Sequence, residues 1–141
     1  MVTGPIIIVE DDEDDKYIFE EVLKDLKIFN KIIWFQNCMD AFSFLKSTSE
    51  QPFLIVSDVN LPGVSGVKFK WMIDQHEELR RKSIPFVFFS TSTAKSLVDE
   101  AYLEMTVQGY FHKASSYEEL KNTIRAIFEY WKICKHPNSI G

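Results

Sequence analysis

The segment Pro5-Ile6-Ile7-Ile8-Val9-Glu10-Asp11-Asp12-Glu13-Asp14-Asp15 carries the clearest structural signal in the chain. Its first half is a short continuous apolar run, β-branched almost throughout, and it stops abruptly at six acidic residues in a row. Such a run reads as a strand buried on both faces that ends at a polar loop. From Asp15 onward Ile18, Phe19, Val22, Leu23 and Leu26 recur at helical spacing, with carboxylates crowding the first turn, where the helix dipole favours them. A helix therefore follows the strand.

The alternation repeats downstream. Lys31 to Phe35 reads as a second strand and Asp40 to Lys46 as a second helix, with Ala41, Phe42 and Leu45 on one face. Phe53 to Ser57 is a third buried strand, running into Asp58-Val59-Asn60-Leu61-Pro62-Gly63, whose Pro and Gly mark a loop. A helix is expected from Gly66 towards Glu77 or Leu79, then a fourth strand over Pro85 to Phe89. Ala94, Leu97, Val98, Ala101 and Met105 form the stripe of a fourth helix, and Gly109 to His112 is a short fifth strand. In the last helix Ser116 and Glu119 match a capping box, and Leu120, Ile124, Ile127, Phe128, Trp131 and Cys134 continue one apolar face to a predicted end near Lys135, before Pro137. Tyr130 and Trp131 cannot both point inward. Five strand-helix units with near-continuous apolar strands imply an α/β fold, a parallel sheet covered by helices on both faces.

At 141 residues, 45% of them hydrophobic and 26% charged, the chain is sized and balanced for one soluble globular domain over residues 1–141. No repeat, low-complexity stretch or linker interrupts it. A net charge of −5 disfavours direct nucleic-acid binding, which needs a basic face to neutralise phosphates. Cys38 and Cys134 lie far apart and outside any C-x-x-C pattern, so they read as buried or half-buried thiols of a reducing compartment. There is no basic n-region followed by a long apolar stretch, and no apolar run approaches the roughly 20 residues of a membrane span. The expected location is the cytoplasm.

In open parallel sheets, ligands bind outside the carboxyl ends of the strands, where the strand order reverses. Glu10, Asp11 and Asp12 follow the first strand, Asp58 the third, Ser90 and Thr91 end the fourth, and Lys113 follows the fifth. Clustered carboxylates repel one another unless a cation neutralises them, and hard oxygen donors in a partly hydrated site suit Mg²⁺. Phosphoryl transfer asks for positioning and charge stabilisation, so a carboxylate acceptor, a divalent ion and a lysine form a sufficient set. An EF-hand is rejected, because no Gly stands at the sixth loop position from Asp11 or from Asp12. His76, His112 and His136 show no metal-ligand spacing and read as structural or solvent-facing.

These segments together resemble the receiver domains of two-component response regulators. The resemblance spans roughly residues 5–131. It rests on Ile6 to Asp12, on Ser57 to Gly63 with Gly66 following, on Pro85 to Ser90 and on Gly109 to Lys113. It implies a flavodoxin-like, doubly wound (βα)5 sheet with strand order 2-1-3-4-5. It further implies that Asp58 is the phospho-acceptor, with Asp11 a direct metal ligand, Glu10 a ligand through water and the Asn60 backbone carbonyl completing the protein ligands of Mg²⁺. Ser90 matches the switch hydroxyl, Lys113 the cation that pairs with phosphate, and Tyr110 the aromatic that moves inward on activation; Asp12 is assigned to the following loop rather than to the metal.

Two departures stand out. Ala114 follows Lys113 where the family usually has Pro, often through a cis bond; since a non-proline cis bond costs about 2.5 to 4 kcal/mol, a trans peptide is expected. Ser stands at position 90 where Thr is commoner, which keeps the hydroxyl. The function implied is acceptance of a phosphoryl group from a sensor histidine kinase or a histidine phosphotransfer protein, with output through contact with a downstream protein the sequence does not name. A homodimer is left open. The alternatives are a degenerate receiver that binds partners without phosphorylation, disfavoured by the intact set Asp11, Asp58, Ser90 and Lys113, and an aspartyl phosphatase resembling haloacid-dehalogenase hydrolases. The latter use D-x-D, and Asn60 stands where the second Asp belongs.

Overall fold

The structure, a computed structural model, describes residues 3–91, 95–104, 107–113 and 115–138. In chain order it runs β1 (Ile6–Val9), α1 (Glu13–Asp25), β2 (Ile32–Phe35), α2 (Cys38–Ser47), β3 (Leu54–Ser57), α3 (Gly66–Gln75) and α4 (Glu77–Lys82). It continues through β4 (Phe86–Ser90), α5 (Lys95–Glu104), β5 (Gly109–His112) and α6 (Tyr117–Ile133). The five strands are all parallel and lie in the order β2-β1-β3-β4-β5. The order reverses at β1, so β1 and β3 sit side by side at the centre, with Val9 in register with Ser57.

The apolar strands are explained by the two faces they fill. Side chains alternate across a strand. Ile7, Val9, Ile55, Phe86 and Phe88 pack towards α2, α3, α4 and α5, whereas Ile6, Ile8, Leu54, Val56, Val87 and Phe89 pack towards α1 and α6. The edge strands have less to cover: every residue of β2 is only half-buried, and β5 grades from buried Gly109 to exposed His112. Short polar side chains cap the helix starts. Asp12 accepts from the amides of Asp14 and Asp15 to start α1, Asn37 from Asp40 to start α2, Ser65 from Lys68 to start α3, and Ser116 from Glu119 to start α6.

The helix expected from Gly66 to Glu77 or Leu79 is two helices. His76 ends α3 in an extended conformation (ψ 112°) and at once caps α4, its Nδ1 accepting from the Leu79 amide at 3.3 Å. An apolar stripe alone does not reveal this break, because Leu79 continues the buried face on the next helix. In α1, Phe19, Val22 and Leu23 are buried while Ile18 stays 43% exposed. Helix α6 ends at Ile133 with Cys134 as its cap, close to the expected end near Lys135, and Trp131 turns inward and Tyr130 outward. Cys38 is buried and Cys134 half-buried, both as free thiols; burial pushes Cys38 up to about 12. Of the fourth-helix stripe, Val98 and Ala101 lie in α5, whereas Ala94, Met105 and the Leu97 side chain lie outside the described residues, as does Ala114 with the peptide that joins it to Lys113.

Beyond α6 the chain turns back beneath the sheet. The His136 ring stacks on Phe53 at 4.5 Å and meets the Phe53 carbonyl through Nε2 at 2.7 Å, and its Nδ1 accepts from the Asn138 amide at 2.8 Å. The Asn138 side chain donates to the carbonyls of Thr3 and Gln51. These contacts tie the tail to the starts of β1 and β3. No described helix is long and apolar enough to cross a membrane.

Candidate functional site

Asp58 is the first residue past β3, and backbone bonds fix its place. Its amide donates to Val9 O at 3.1 Å, which ties it to the end of β1, and the Gly66 amide donates to Val59 O at 2.9 Å, which closes the β3–α3 loop behind it. The carboxylate is oriented from below: Oδ1 accepts from the amides of Val59 (2.6 Å) and Asn60 (3.3 Å). That leaves Oδ2 directed at the Lys113 ammonium, 3.0 Å away.

Lys113 reaches Asp58 because β5 pairs with β4 up to His112 opposite Ser90, and the Lys113 amide then donates to Ser90 O at 2.7 Å. Its Nζ also binds Glu10 Oε1 at 2.6 Å and Asp15 Oδ2 at 2.9 Å. Burial alone would pull this ammonium down, but the hydrogen bonds to Glu10, Asp15 and Asp58 outweigh it and hold the group above its ordinary range. The lysine is a permanent cation here.

Glu10 is buried just past β1, where its amide donates to Phe35 O and its carbonyl accepts from Trp34 Nε1 at 2.8 Å. Burial pushes its carboxyl up to about 7, with Asp58 adding repulsion and Lys113 pulling the other way. Asp11 is exposed at the mouth. One oxygen each from Glu10, Asp11 and Asp58 lie within 4.8 Å of one another, the spacing and donor chemistry of a hard divalent cation. A buried carboxylate beside two others is a costly arrangement for one lysine to balance, so the donor set fits a cation. Asp12 faces away as the cap of α1.

The structure brings Glu10, Asp11, Asp58 and Lys113 together. Ser90 is fully buried at the end of β4. Tyr110 is half-buried, its ring 5.8 Å from that of Phe88, and its amide donates to the Tyr102 hydroxyl on α5 at 2.9 Å. Asn60 is exposed in the loop after Asp58. One residue escaped the sequence reading: Asp15, read there as part of a helix start, is a direct partner of Lys113. The signal was its place three residues past the Asp12 cap, since helical side chains lean back over the preceding turn. A cavity of about 280 Å³ opens beside the cluster, with Asp15, Ile18, Lys113 and Tyr117 among its walls. A larger cleft of about 960 Å³, between the α1–β2 connection and the end of α6, shares no lining residue with it.

This constellation lies at the carboxyl edge of a 2-1-3-4-5 sheet. The family model for the response regulator receiver domain matches residues 6–125. The chain belongs to the response-regulator receiver family. Response regulator Rcp1 of Synechocystis sp. is 31% identical over 131 residues, covering 89% of this chain and 87% of Rcp1. Among solved structures, the Mn²⁺-bound form of Rcp1 superposes with a TM-score of 0.82 at 30% identity, over 95% of this chain and 99% of that one. The phosphorylated cyanobacterial phytochrome response regulator RcpA gives 0.82 at 26% identity, over 93% and 95%. The receiver fold is that of the (βα)5 response regulators, and the Glu10, Asp11 and Asp58 cluster fits the divalent-metal binding typical of receivers.

Proposed function

We propose that this receiver accepts a phosphoryl group on Asp58 in a Mg²⁺-dependent reaction, and that the phosphorylated form is read by another protein. The observation that carries the reading is the pose of Asp58, with Oδ1 pinned by two loop amides and Oδ2 held 3.0 Å from Lys113 beside the Glu10 and Asp11 carboxylates. An Asp58 oxygen attacks the phosphorus of a phosphohistidine, the P–N bond breaks, and its electron pair returns to the imidazole of the donor. The product is an acyl phosphate. Lys113 meets the charge on the transferred oxygens, and the fixed loop amides keep the acceptor in line. Asp11 and Asp58 would hold Mg²⁺ directly, Glu10 through water, with the Asn60 carbonyl as a further ligand; when bound, the ion offsets the charge of the carboxylates and the incoming group.

The donor we assign is a sensor histidine kinase or a histidine phosphotransfer protein, acting in the cytoplasm on a single domain made of residues 1–141. Output runs through Ser90 and Tyr110 to the face built from α5, β5 and α6, on which Tyr102 and Leu103 are 50% and 82% exposed. The protein's chemistry is then limited to taking and losing its own phosphoryl group.

The test is incubation with phosphoramidate and Mg²⁺, followed by borohydride reduction and mass mapping. One phosphoryl per chain on Asp58, absent in Asp58→Asn, is the expected result. Labelling at another residue overturns the assignment, and a folded protein that takes no label is a degenerate receiver.

A further inference from the structure

Lys113 is held by three carboxylates, and they differ in what becomes of them during the reaction. Glu10 and Asp58 belong to the cluster whose oxygens fit a divalent cation, and in the function proposed above Asp58 is also the carboxylate that is modified. Asp15 belongs to neither. It stands in the first turn of α1, its Oδ2 2.9 Å from Lys113 Nζ, and among the described residues it is outside the metal-fitting cluster. An ammonium has three N–H donors, so in this arrangement each is directed to one carboxylate.

We infer that Asp15 is a positioning residue that keeps the Lys113 ammonium in the site while Asp58 is phosphorylated. The inference rests on the reading of Asp58 as phospho-acceptor and assigns the regulation of that same site to a residue of α1. Once a cation engages Glu10 and Asp58, and once Asp58 becomes an acyl phosphate, two of the three anchors of Lys113 weaken together. A lysine has a flexible four-carbon stem and a strongly hydrated head, so an ammonium released from its partners moves out to water. Asp15 prevents this from the solvent side. Its side chain is 38% exposed against 8% for Glu10 and 12% for Asp58, and it is carried on a helix whose first turn is locked by the Asp12 cap. The two remaining N–H bonds of Lys113 are then free to follow the phosphoryl oxygens.

The experiment measures the phosphorylation rate of the full chain with phosphoramidate at saturating Mg²⁺. The proteins are the wild type, Asp15→Asn, Asp15→Glu, Lys113→Ala and the double variant Asp15→Asn with Lys113→Ala. Asp14→Asn is the control for charge alone, since Asp14 is exposed on the same turn and makes no bond to Lys113. Misplacing a group by about 1 Å can cost up to about 100-fold, so loss of one of several anchors is expected to slow the maximal rate about tenfold, with the donor concentration at half-saturation little changed. Asp15→Glu recovers most of the rate and Asp14→Asn keeps it. In the Lys113→Ala background Asp15→Asn has no further effect. A faster or unchanged rate in Asp15→Asn, or an equal loss with and without Lys113, overturns the inference while the function stands. A wild type that takes no label removes the function reading, and the inference falls with it.

Discussion

A Cβ added to Gly66 would collide with the backbone carbonyl oxygen of Asp58 and lie 3.0 Å from both the Asp58 carbonyl carbon and Val59 Cα. The first residue of α3 therefore packs against the backbone of Asp58 with no room for a side chain. All three neighbours are backbone atoms and cannot swing aside. Gly66→Ala is expected to destabilise the fold by about 1–3 kcal/mol, the usual cost of overpacking, and to slow Asp58 phosphorylation by pushing the β3–α3 loop outward. Urea unfolding and phosphoramidate labelling of the same preparation check both effects. Wild-type values for both would mean that the loop yields freely.

Removal of the exposed metal candidate should separate binding from folding. Asp11 is at the mouth of the site and makes no burial contribution, so Asp11→Ala should leave the unfolding midpoint close to wild type while weakening Mg²⁺ by about 100-fold, the upper end of the loss that follows removal of even an outer-shell partner of a metal site. Trp34 supplies the readout. Its indole N–H donates to the Glu10 carbonyl, so a cation in the cluster changes its surroundings. Saturable Mg²⁺ quenching in wild type that persists unchanged in Asp11→Ala would remove Asp11 from the ligand set.

Phosphorylation adds charge and acceptor oxygens near Lys113, and a modification moves an equilibrium only by its differential interaction with the two states. If the Ser90 hydroxyl is that differential partner, Ser90→Ala still accepts the phosphoryl group but no longer transmits it to Tyr110 and α5. The check is NMR shifts with and without a beryllofluoride phosphoryl mimic. Equal changes at Tyr110 and Val98 in wild type and Ser90→Ala would show that the switch lies elsewhere.

The tail supplies a pH dependence. Burial of the His136 ring lowers its pKa below the ordinary 6.5, against a smaller opposing effect of the Phe53 carbonyl. The contacts assign the neutral tautomer with its proton on Nε2, so protonation would set a second N–H at Nδ1 against the Asn138 amide. A group whose folded pKa is depressed contributes stability that is complete above its unfolded value and lost as pH falls through the folded one. Here that loss begins near pH 6.5 and runs downward, at no more than about 1.4 kcal/mol per pH unit. Glu10 acts in the opposite sense, since its raised pKa costs stability as pH climbs from 4.5 to about 7. The comparison is therefore wild type against His136→Gln at each pH. The variant should be less stable at pH 7.5, with the difference shrinking towards pH 5; a constant difference in urea midpoint would refute a titrating latch.

The strands and their acidic or hydroxyl termini were legible from the chain alone because their signals are local. A β-branched run that stops at Glu10, Asp11 and Asp12, or at Asp58 before Asn60-Leu61-Pro62-Gly63, states both the strand and its exit. The layered architecture then follows from burial on two faces, as Ile6 and Ile8 face α1 and α6 while Ile7 and Val9 face the other helices, whereas the strand order came from the family resemblance. Relationships between residues that no period connects emerged only once the chain was folded. The break at His76 depends on a side chain that caps one helix while ending another, and the exposure of Ile18 depends on a cavity that α6 leaves open beside it. The bond from Asp15 to Lys113 joins positions 98 residues apart. Asp15 reads as one more carboxylate of an acidic helix start until β5 is laid next to β4 and the lysine is carried across the sheet edge to meet it, because charge pairing is set by where the backbone ends up and not by the residue types along it.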